Sequence, residues 1–219
     1  VVRPEATDNA NVNVLRVGER IVALTEAPRM VAADPRTLET RGEFTFADDL
    51  SGHLTTAHPV RDPHRGETVN YLVRFGRESE YVVYRLPDGA RSRERVGAVT
   101  VDVPAYMHSF GLTGQYVVLV EFPFVVHPLD VLLPWRRGDS FLDLLSWEPE
   151  RGTLFRVLDR ESGEQLATAE APATFAFHHV NAFEDGDAVV VDLVAFEGPR
   201  PMAALELDGL RAGEADPPR

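Results

Sequence analysis

The chain has 219 residues, a formal net charge of -13 and no cysteine, and 44% of its residues are hydrophobic. This is enough apolar sequence for a sizeable core. The acidic balance argues against nucleic acid or an anionic membrane surface as the main partner, because both attract a basic face. The absence of cysteine excludes disulfides, thiolate metal sites and a cysteine nucleophile, so any metal must be bound by His, Asp or Glu.

Alternating polar and apolar residues dominate the chain, and helical periodicity is scarce. The pattern predicts short strands separated by turns rich in Gly, Pro and Asp. In chain order, the predicted strands are 11–17, 20–25, 30–33, 40–46, 68–75, 80–86, 95–103, 116–122, 154–159, 165–170 and 188–196. Residues 140–145 are interpreted as one short helical turn or an extended segment.

Short strands with frequent turn signals are typical of an all-β sandwich, barrel or propeller. Two similar hairpin turns, residues 34–39 (DPRTLE) and 159–164 (DRESGE), favour a propeller with four-stranded blades. A blade takes roughly 40–45 residues, so we expect about four to five blades. We interpret residues 1–219 as a single domain.

No apolar run approaches the roughly 18 residues of a membrane span, and no signal peptide is visible. We therefore expect a cytoplasmic protein. The first residue is not methionine and both ends are loop-like, so we expect a segment of a longer protein.

Three of the seven histidines lie in polar loops or before a proline and are interpreted as ordinary surface or core residues: His53, His64 and His127. Three others lie at predicted strand edges among small or aromatic residues: His58, His108 and His178. If these three converge, an all-imidazole site suits Fe, Zn, Cu or Ni.

A metal-bound imidazole usually donates its other ring N–H to an acceptor, most often a carboxylate. Two glutamates end or interrupt apolar strands and are candidates for this role: Glu26 and Glu121. Each is equally well read as an ordinary acid at a strand end or edge.

Three segments around these histidines resemble the iron-histidine motifs of the carotenoid cleavage oxygenase family: 55–59 (TTAHP), 106–113 (YMHSFGLT) and 177–184 (FHHVNAFE). Further similar segments lie between them in the same order: 66–70 (GETVN), 116–123 (YVVLVEFP) and 147–153 (WEPERGT). The family includes apocarotenoid oxygenases, lignostilbene dioxygenases and the retinoid isomerase of the eye. The resemblance covers roughly residues 11–194 and matches the central segment of such proteins.

The resemblance implies a seven-bladed β-propeller in which four histidines bind Fe(II) beneath a substrate tunnel. By position, the ligands here would be His58, His108 and His178. His178 is preferred to His179 because relatives keep the first histidine of this pair. Glu26 would accept a hydrogen bond from one ligand, and we expect that ligand to be His108.

Aromatic residues near the motifs are candidates for the tunnel lining: Tyr106, Phe110, Phe122 and Phe177, with Phe124 and Trp135 in addition. Packing in the propeller core is an equally good interpretation of each. The chain also departs from the family pattern, because no histidine follows His179. Residues 113–116 read TGQY where relatives often have Thr-Glu-Asn-Tyr. We expect the N-terminal and C-terminal blades and the fourth ligand to be missing.

The implied function is oxidative cleavage of a conjugated C=C bond in a carotenoid or apocarotenoid by Fe(II) and O₂, giving two carbonyl products. The implied partners are a small apolar polyene and O₂, with peripheral membrane contact left open. Alternatives are a stilbene-cleaving dioxygenase, a polyene isomerase on the same iron, or a non-catalytic truncated propeller. A cupin-like metalloenzyme usually needs closely spaced ligands such as H-x-H, which this chain does not contain.

Overall fold

The computed structural model describes residues 10–132, 141–204 and 207–213. Every strand pairing within them is antiparallel. The first sheet is a four-stranded meander in the order β1 (Asn13–Val17), β2 (Arg20–Leu24), β3 (Met30–Ala33) and β4 (Thr40–Phe44).

The second sheet has five strands: β5 (Leu54–Thr55), β6 (Val60–Asp62), β7 (Glu67–Arg74), β8 (Ser79–Pro87) and β9 (Glu94–Val101). Strands β5 and β6 pair with different parts of β7, and β8 and β9 follow on its other side. His58 lies in the short connection between β5 and β6.

The third sheet is formed by β10 (Gly111–Leu112), β11 (Tyr116–Glu121), β14 (Thr153–Asp159) and β15 (Gln165–Ala171), in that order. Between β11 and β14 lie the paired strands β12 (Phe124–Val126) and β13 (Leu145–Trp147), the helix α1 (Pro128–Leu132), and two 3-10 helices, Phe141–Leu144 and Pro149–Arg151. Of the two interpretations of residues 140–145, the helical turn is the one that the structure has, at Phe141–Leu144.

A long hairpin of β16 (Phe175–Asp185) and β17 (Ala188–Phe196) follows. Two short helices, α2 (Arg200–Ala203) and α3 (Leu207–Ala212), end the described part. Three sheets of four or five strands and one hairpin correspond to three blades and part of a fourth. The expected all-β partial propeller is confirmed, and its described residues form fewer complete blades than the four to five predicted.

Strand β11 explains how neighbouring sheets stack. Its side chains alternate between faces, as strand geometry requires. Val117 and Leu119 join a buried cluster with residues of the second sheet, including Tyr81. Val118 and Val120 join a different cluster with Phe175 of the hairpin. A strand that is buried on both faces reads as a continuous apolar run, which is what the sequence VVLV shows.

The hairpin turns of three sheets share one construction. The turns at residues 34–39 and 159–164 were predicted, and residues 62–67 (DPHRGE) form a third. In each turn the aspartate side chain accepts backbone N–H bonds from the residues two and three positions later. The fifth residue of each turn has a left-handed backbone: Leu38 (φ 61°), Gly66 (φ 64°) and Gly163 (φ 70°).

All eleven predicted strands are present with small shifts at their ends. The strands that the alternation did not predict are β5, β6, β10, β12, β13 and β16. The first five have two or three residues, which is too short for a period to be visible. Strand β16 has irregular register between Ala176 and Asn181, so its side-chain alternation is interrupted there.

Candidate metal centre

His58 lies in a turn that is fixed by its neighbours. The Thr55 hydroxyl donates to the Tyr71 carbonyl at 2.8 Å, and the Asn70 amide donates to the Thr56 carbonyl at 3.0 Å. Thr55, Asn70 and Tyr71 are all buried in the second sheet. The imidazole of His58 therefore projects from a rigid part of the fold.

His108 lies in the connection between the second and third sheets. This connection is held at Ala105, whose backbone N–H donates to the Tyr81 hydroxyl at 2.7 Å. It is also held at Met107, whose carbonyl accepts a hydrogen bond from the Tyr71 hydroxyl. Because both tyrosines are buried, the backbone on the N-terminal side of His108 is fixed by the second sheet.

His178 and His179 lie on β16 at its register irregularity. His178 faces the other two histidines and is exposed, whereas the Nδ1 atom of His179 lies 2.8 Å from the Ser109 hydroxyl. The second histidine therefore contacts the protein interior. Its Nε2 atom is buried, without a hydrogen-bond partner among the described residues.

The imidazoles of His58, His108 and His178 form one cluster. Their ring centroids are separated by 4.5, 5.0 and 5.0 Å. One nitrogen from each ring lies within 4.8 Å of the others, and the Nε2 atoms of His58 and His108 are 2.8 Å apart. Imidazole nitrogens bind an ion such as zinc at about 2.0–2.1 Å, so two nitrogens at a right angle around one ion are about 3 Å apart. The donor set therefore fits a first-row divalent metal.

Glu26 lies behind His108. Its Oε1 atom is 2.7 Å from His108 Nδ1 and 2.8 Å from the Tyr106 hydroxyl. A carboxylate accepts both hydrogen bonds, so the proton of His108 is on Nδ1 and the lone pair of Nε2 points toward the other two histidines. The structure thus places Glu26 against His108, the histidine to which the resemblance assigned it, and its role at a metal stays a prediction.

Tyr106 has a contact that the sequence did not predict. Burial, and then the nearby charge of Glu26, raise the pKa of its hydroxyl well above the usual range, so it remains a hydrogen-bond donor. The backbone carbonyl of Glu26 also accepts a hydrogen bond from Thr55 at 2.8 Å. Glu26 is therefore tied both to the His108 segment and to the His58 segment.

The imidazoles of His58 and His178 are in the form that binds metal. Burial, and then the neighbouring His108 and His178, lower the pKa of His58 to about 4. Burial, and then His108, lower the pKa of His178. Both rings are consequently neutral at pH 7, and only neutral imidazole offers a lone pair to a metal.

The aromatic candidates lie at different depths. The Phe177 ring is 5.3 Å from the His108 ring, next to the histidine cluster. Phe110 packs against Tyr71, and Phe122 packs against Phe175, in buried cores. Their lining of a tunnel remains a prediction, and Trp135 lies outside the described residues.

The remaining candidates are placed away from the cluster. Glu121 pairs with Arg156 at 2.8 Å across the third sheet, so it has the role of an ordinary ion pair. His127 pairs with Glu148 at 2.7 Å, and His53 accepts a hydrogen bond from the Phe75 backbone at 3.0 Å. His64 is exposed in its turn.

Antiparallel sheets that bring together two imidazoles from their connections and a third from strand β16 define a β-propeller with a candidate metal centre. The family model RPE65, Retinal pigment epithelial membrane protein, matches residues 1–218. The chain belongs to this family, the carotenoid oxygenase family that its motifs resemble. Among the described residues, no helix is both long and apolar enough to span a membrane.

The relatives are longer than this chain. The chain is 34% identical to the mitochondrial carotenoid-cleaving dioxygenase of Macaca fascicularis, over 95% of this chain and 40% of that protein. It is 35% identical to the chloroplastic carotenoid cleavage dioxygenase 8 of Arabidopsis thaliana, over 94% of this chain and 38% of that protein. The chain thus spans about 40% of the length of these relatives.

Solved structures share the fold. A lignostilbene dioxygenase from Pseudomonas brassicacearum superimposes with a TM-score of 0.74 at 26% identity, covering 89% of this chain and 40% of that one. An apocarotenoid oxygenase variant from Synechocystis superimposes with a TM-score of 0.74 at 21% identity, covering 89% of this chain and 41% of that one. The second likeness concerns the fold alone.

Proposed function

We propose that this chain is the central part of an Fe(II) dioxygenase that cleaves a conjugated C=C bond of a carotenoid or apocarotenoid. The observation that supports this proposal is the convergence of His58, His108 and His178, whose ring nitrogens lie within 4.8 Å of one another. The names of the relatives, which are carotenoid-cleaving dioxygenases, supply the substrate class.

His58, His108 and His178 would hold the ion. When bound, Fe(II) supplies the redox chemistry that lets O₂ react with the polyene. Glu26 keeps the proton on Nδ1 of His108 and so keeps Nε2 available as a donor. In the overall reaction, the C=C bond is broken and each carbon receives one atom of O₂, giving two carbonyl products. This balance requires no acid or base from the protein.

The surroundings of the cluster fit an apolar substrate. The Phe177 ring lies beside His108. Phe175 packs against Phe177, and Tyr106 packs against Phe175. Apolar walls around a metal exclude water and keep the substrate from competing reactions. Access to a membrane-dissolved polyene would need peripheral membrane contact of an otherwise cytoplasmic protein, and we include both in the proposal.

Metal content tests the site first. The chain is purified anaerobically, loaded with Fe(II) and desalted. Its molar iron content is then measured and compared with that of the variants His108→Ala and His127→Ala. We expect one iron per chain in the wild type and in His127→Ala, which removes a histidine from another His–Glu pair. We expect no iron in His108→Ala. A folded wild-type chain without iron would contradict the proposal for these 219 residues.

Substrate comparison tests the reaction. The iron-loaded chain is incubated with apocarotenoids and ¹⁸O₂, and products are analysed by mass spectrometry. Two labelled carbonyl products support cleavage, whereas a rearranged polyene without label supports an isomerase. Hydroxystilbenes are included because a lignostilbene dioxygenase shares the fold at 26% identity. Iron binding without turnover of any substrate supports the non-catalytic alternative.

A further inference from the structure

Two buried hydroxyl groups lie next to the candidate ligands in the sequence. Thr56 precedes His58 by two residues, and Ser109 directly follows His108. Thr56 is 1% exposed and Ser109 is 7% exposed. Neither residue was a candidate in the sequence, and neither side chain reaches the cluster with its own hydroxyl.

Thr56 joins the segments that carry His58 and His108. Its hydroxyl donates to the backbone carbonyl of His108 and accepts the backbone N–H of His58 at 3.0 Å. Both contacts are to the main chain of a candidate ligand. The single hydroxyl therefore couples the positions of the two Cα atoms from which these imidazoles extend.

Ser109 joins the segments that carry His108 and His178. Its hydroxyl donates to the Phe177 carbonyl at 2.7 Å and accepts the backbone N–H of His179 at 2.9 Å. The Nδ1 atom of His179, at 2.8 Å, then carries the proton that the hydroxyl oxygen also accepts. Ser109 thus binds the residues on both sides of His178.

The two hydroxyls form a chain of contacts through the three ligand segments. Thr56 couples the first segment to the second, and Ser109 couples the second to the third. Each hydroxyl makes a long-range contact, because Thr56 reaches a residue 52 positions away and Ser109 reaches one 70 positions away. A buried hydroxyl with every hydrogen bond made has one preferred position, so the segments that it joins have one preferred separation.

We propose that Thr56 and Ser109 are positioning residues that set the separations of the three imidazoles before metal binds. This proposal rests on the proposed metal site. The residues would not touch the ion. They would act through the backbone, and each would govern a different pair: Thr56 the pair His58–His108, and Ser109 the pair His108–His178.

The first experiment measures metal affinity. The chain is titrated anaerobically with Fe(II), and with Co(II), whose visible absorption reports the number and arrangement of ligands. Thr56→Val and Ser109→Ala remove the hydroxyls, whereas Thr56→Ser and Ser109→Thr keep them. Ser162→Ala is the matched control, because Ser162 lies in an exposed turn and bonds Asp159 and Glu164 of that same turn.

We expect Thr56→Val and Ser109→Ala each to weaken metal affinity by about 10–100-fold, the range found for groups that orient metal ligands. We expect both to change the Co(II) spectrum, and the two hydroxyl-keeping variants to restore it. Ser162→Ala should match the wild type. Wild-type affinity and spectrum in both deletion variants would overturn the proposal.

The second experiment needs no metal. Crystal structures of the metal-free variants should show a larger His108–His178 separation in Ser109→Ala and a larger His58–His108 separation in Thr56→Val, with the other pair unchanged in each. Unchanged separations in both variants would overturn the positioning roles. If the wild type binds neither Fe(II) nor Co(II), the proposed function fails, and this second experiment still decides the positioning roles.

Discussion

The second and third sheets and the β16–β17 hairpin contribute to the same histidine cluster in different ways. Seven of the eight residues of β7 are buried, whereas β17 has exposed or half-buried residues throughout. His58 and His108 belong to connections of the two buried sheets, and His178 lies on the hairpin. Two imidazoles are thus preorganised by a packed core, and the third depends on how the hairpin docks.

The β16–β17 hairpin is most deeply buried at its beginning. Phe175 and Ala176 are buried against the third sheet, but Val180 and Phe183 are exposed. Beyond the first residues of β16, the hairpin is held by the hydrogen bonds of Ser109, by the contact of Thr113 with Glu184, and by half-buried apolar residues of β17 that pack against the same cluster. Local stability follows burial. We therefore expect the free energy of local opening to be lower for the hairpin than for the sheets that carry His58 and His108.

The largest effect on the free energy of unfolding is expected at Arg160, which joins the third sheet to the second. Its guanidinium is 2.7 Å from Glu67 and 2.9 Å from Asp62, and it donates to the Thr113 carbonyl at 2.6 Å. Burial tends to raise the pKa of Asp62, but the hydrogen bonds from Arg160 and from two backbone N–H groups of its own turn together outweigh this and lower the pKa. Arg160→Met would remove the nearest cation from two mostly buried carboxylates and should lower the free energy of unfolding by about 3–5 kcal/mol, measured by urea denaturation.

Arg41→Met is the control for that measurement. Arg41 pairs with Asp34 at 3.0 Å on an exposed turn. Exposed pairs contribute about 0–1 kcal/mol, so this variant should unfold near the wild type. Equal effects of the two substitutions would mean that the buried network does not hold the second and third sheets together.

The next effect is expected at Gly97, where β9 meets the β14–β15 turn. A Cβ atom at Gly97 would lie 2.4 Å from the carbonyl oxygen of Gly163, which is backbone and has little room to move. Gly97→Ala should therefore destabilise the chain by about 1–3 kcal/mol in urea, the range for overpacked sites. Gly198→Ala, beside the hairpin, meets only the Trp147 side chain at 3.6 Å and should change little. If Gly97→Ala leaves the free energy of unfolding unchanged, the two sheets can move apart at this contact without loss of stability.

Glu26 tests the preorganised half of the cluster. Glu26→Ala removes the acceptor of the His108 Nδ1–H and should weaken Fe(II) or Co(II) affinity by about 10–100-fold in anaerobic titration. Glu26→Gln should lie between, because its amide oxygen still accepts but carries no charge. Glu148→Ala deletes a comparable partner of His127, at the same 2.7 Å, and should leave affinity unchanged. An equal loss of metal affinity in both alanine variants would mean that Glu26 has no specific role at the metal site.

The smallest effect is expected at Leu38, outside both regions compared above. Leu38 has φ of 61°, where the equivalent turns have Gly66 and Gly163. A left-handed backbone costs a residue with a side chain roughly 1–2 kcal/mol. Glycine loses more entropy on folding, by roughly 0.5–1 kcal/mol. Leu38→Gly should therefore stabilise the chain by about 1 kcal/mol or less in urea, and a clear destabilisation would mean that the exposed leucine has a packing role.

Sequence reasoning was most successful where one local pattern decides the structure. Strands such as 116–122 were predicted because apolar runs and alternation reflect which faces of a strand are buried. It failed for β16, because its register irregularity interrupts the alternation while its pairing with β17 still holds it extended. It also missed the turn at residues 62–67, although the aspartate, glycine and glutamate of that turn match those of residues 159–164.

The sequence by itself predicted eleven of the seventeen strands of the described residues and two of the three aspartate turns, and through the resemblance of its motifs it identified the histidines and the glutamate of the candidate site. The tertiary structure alone decided that Tyr106 shares Glu26 with His108, and that Thr56 and Ser109 join the ligand segments. The physical reason is distance along the chain. Local periodicity reports burial within one element, whereas these hydrogen bonds form only after sheets that are 50 or more residues apart have packed together.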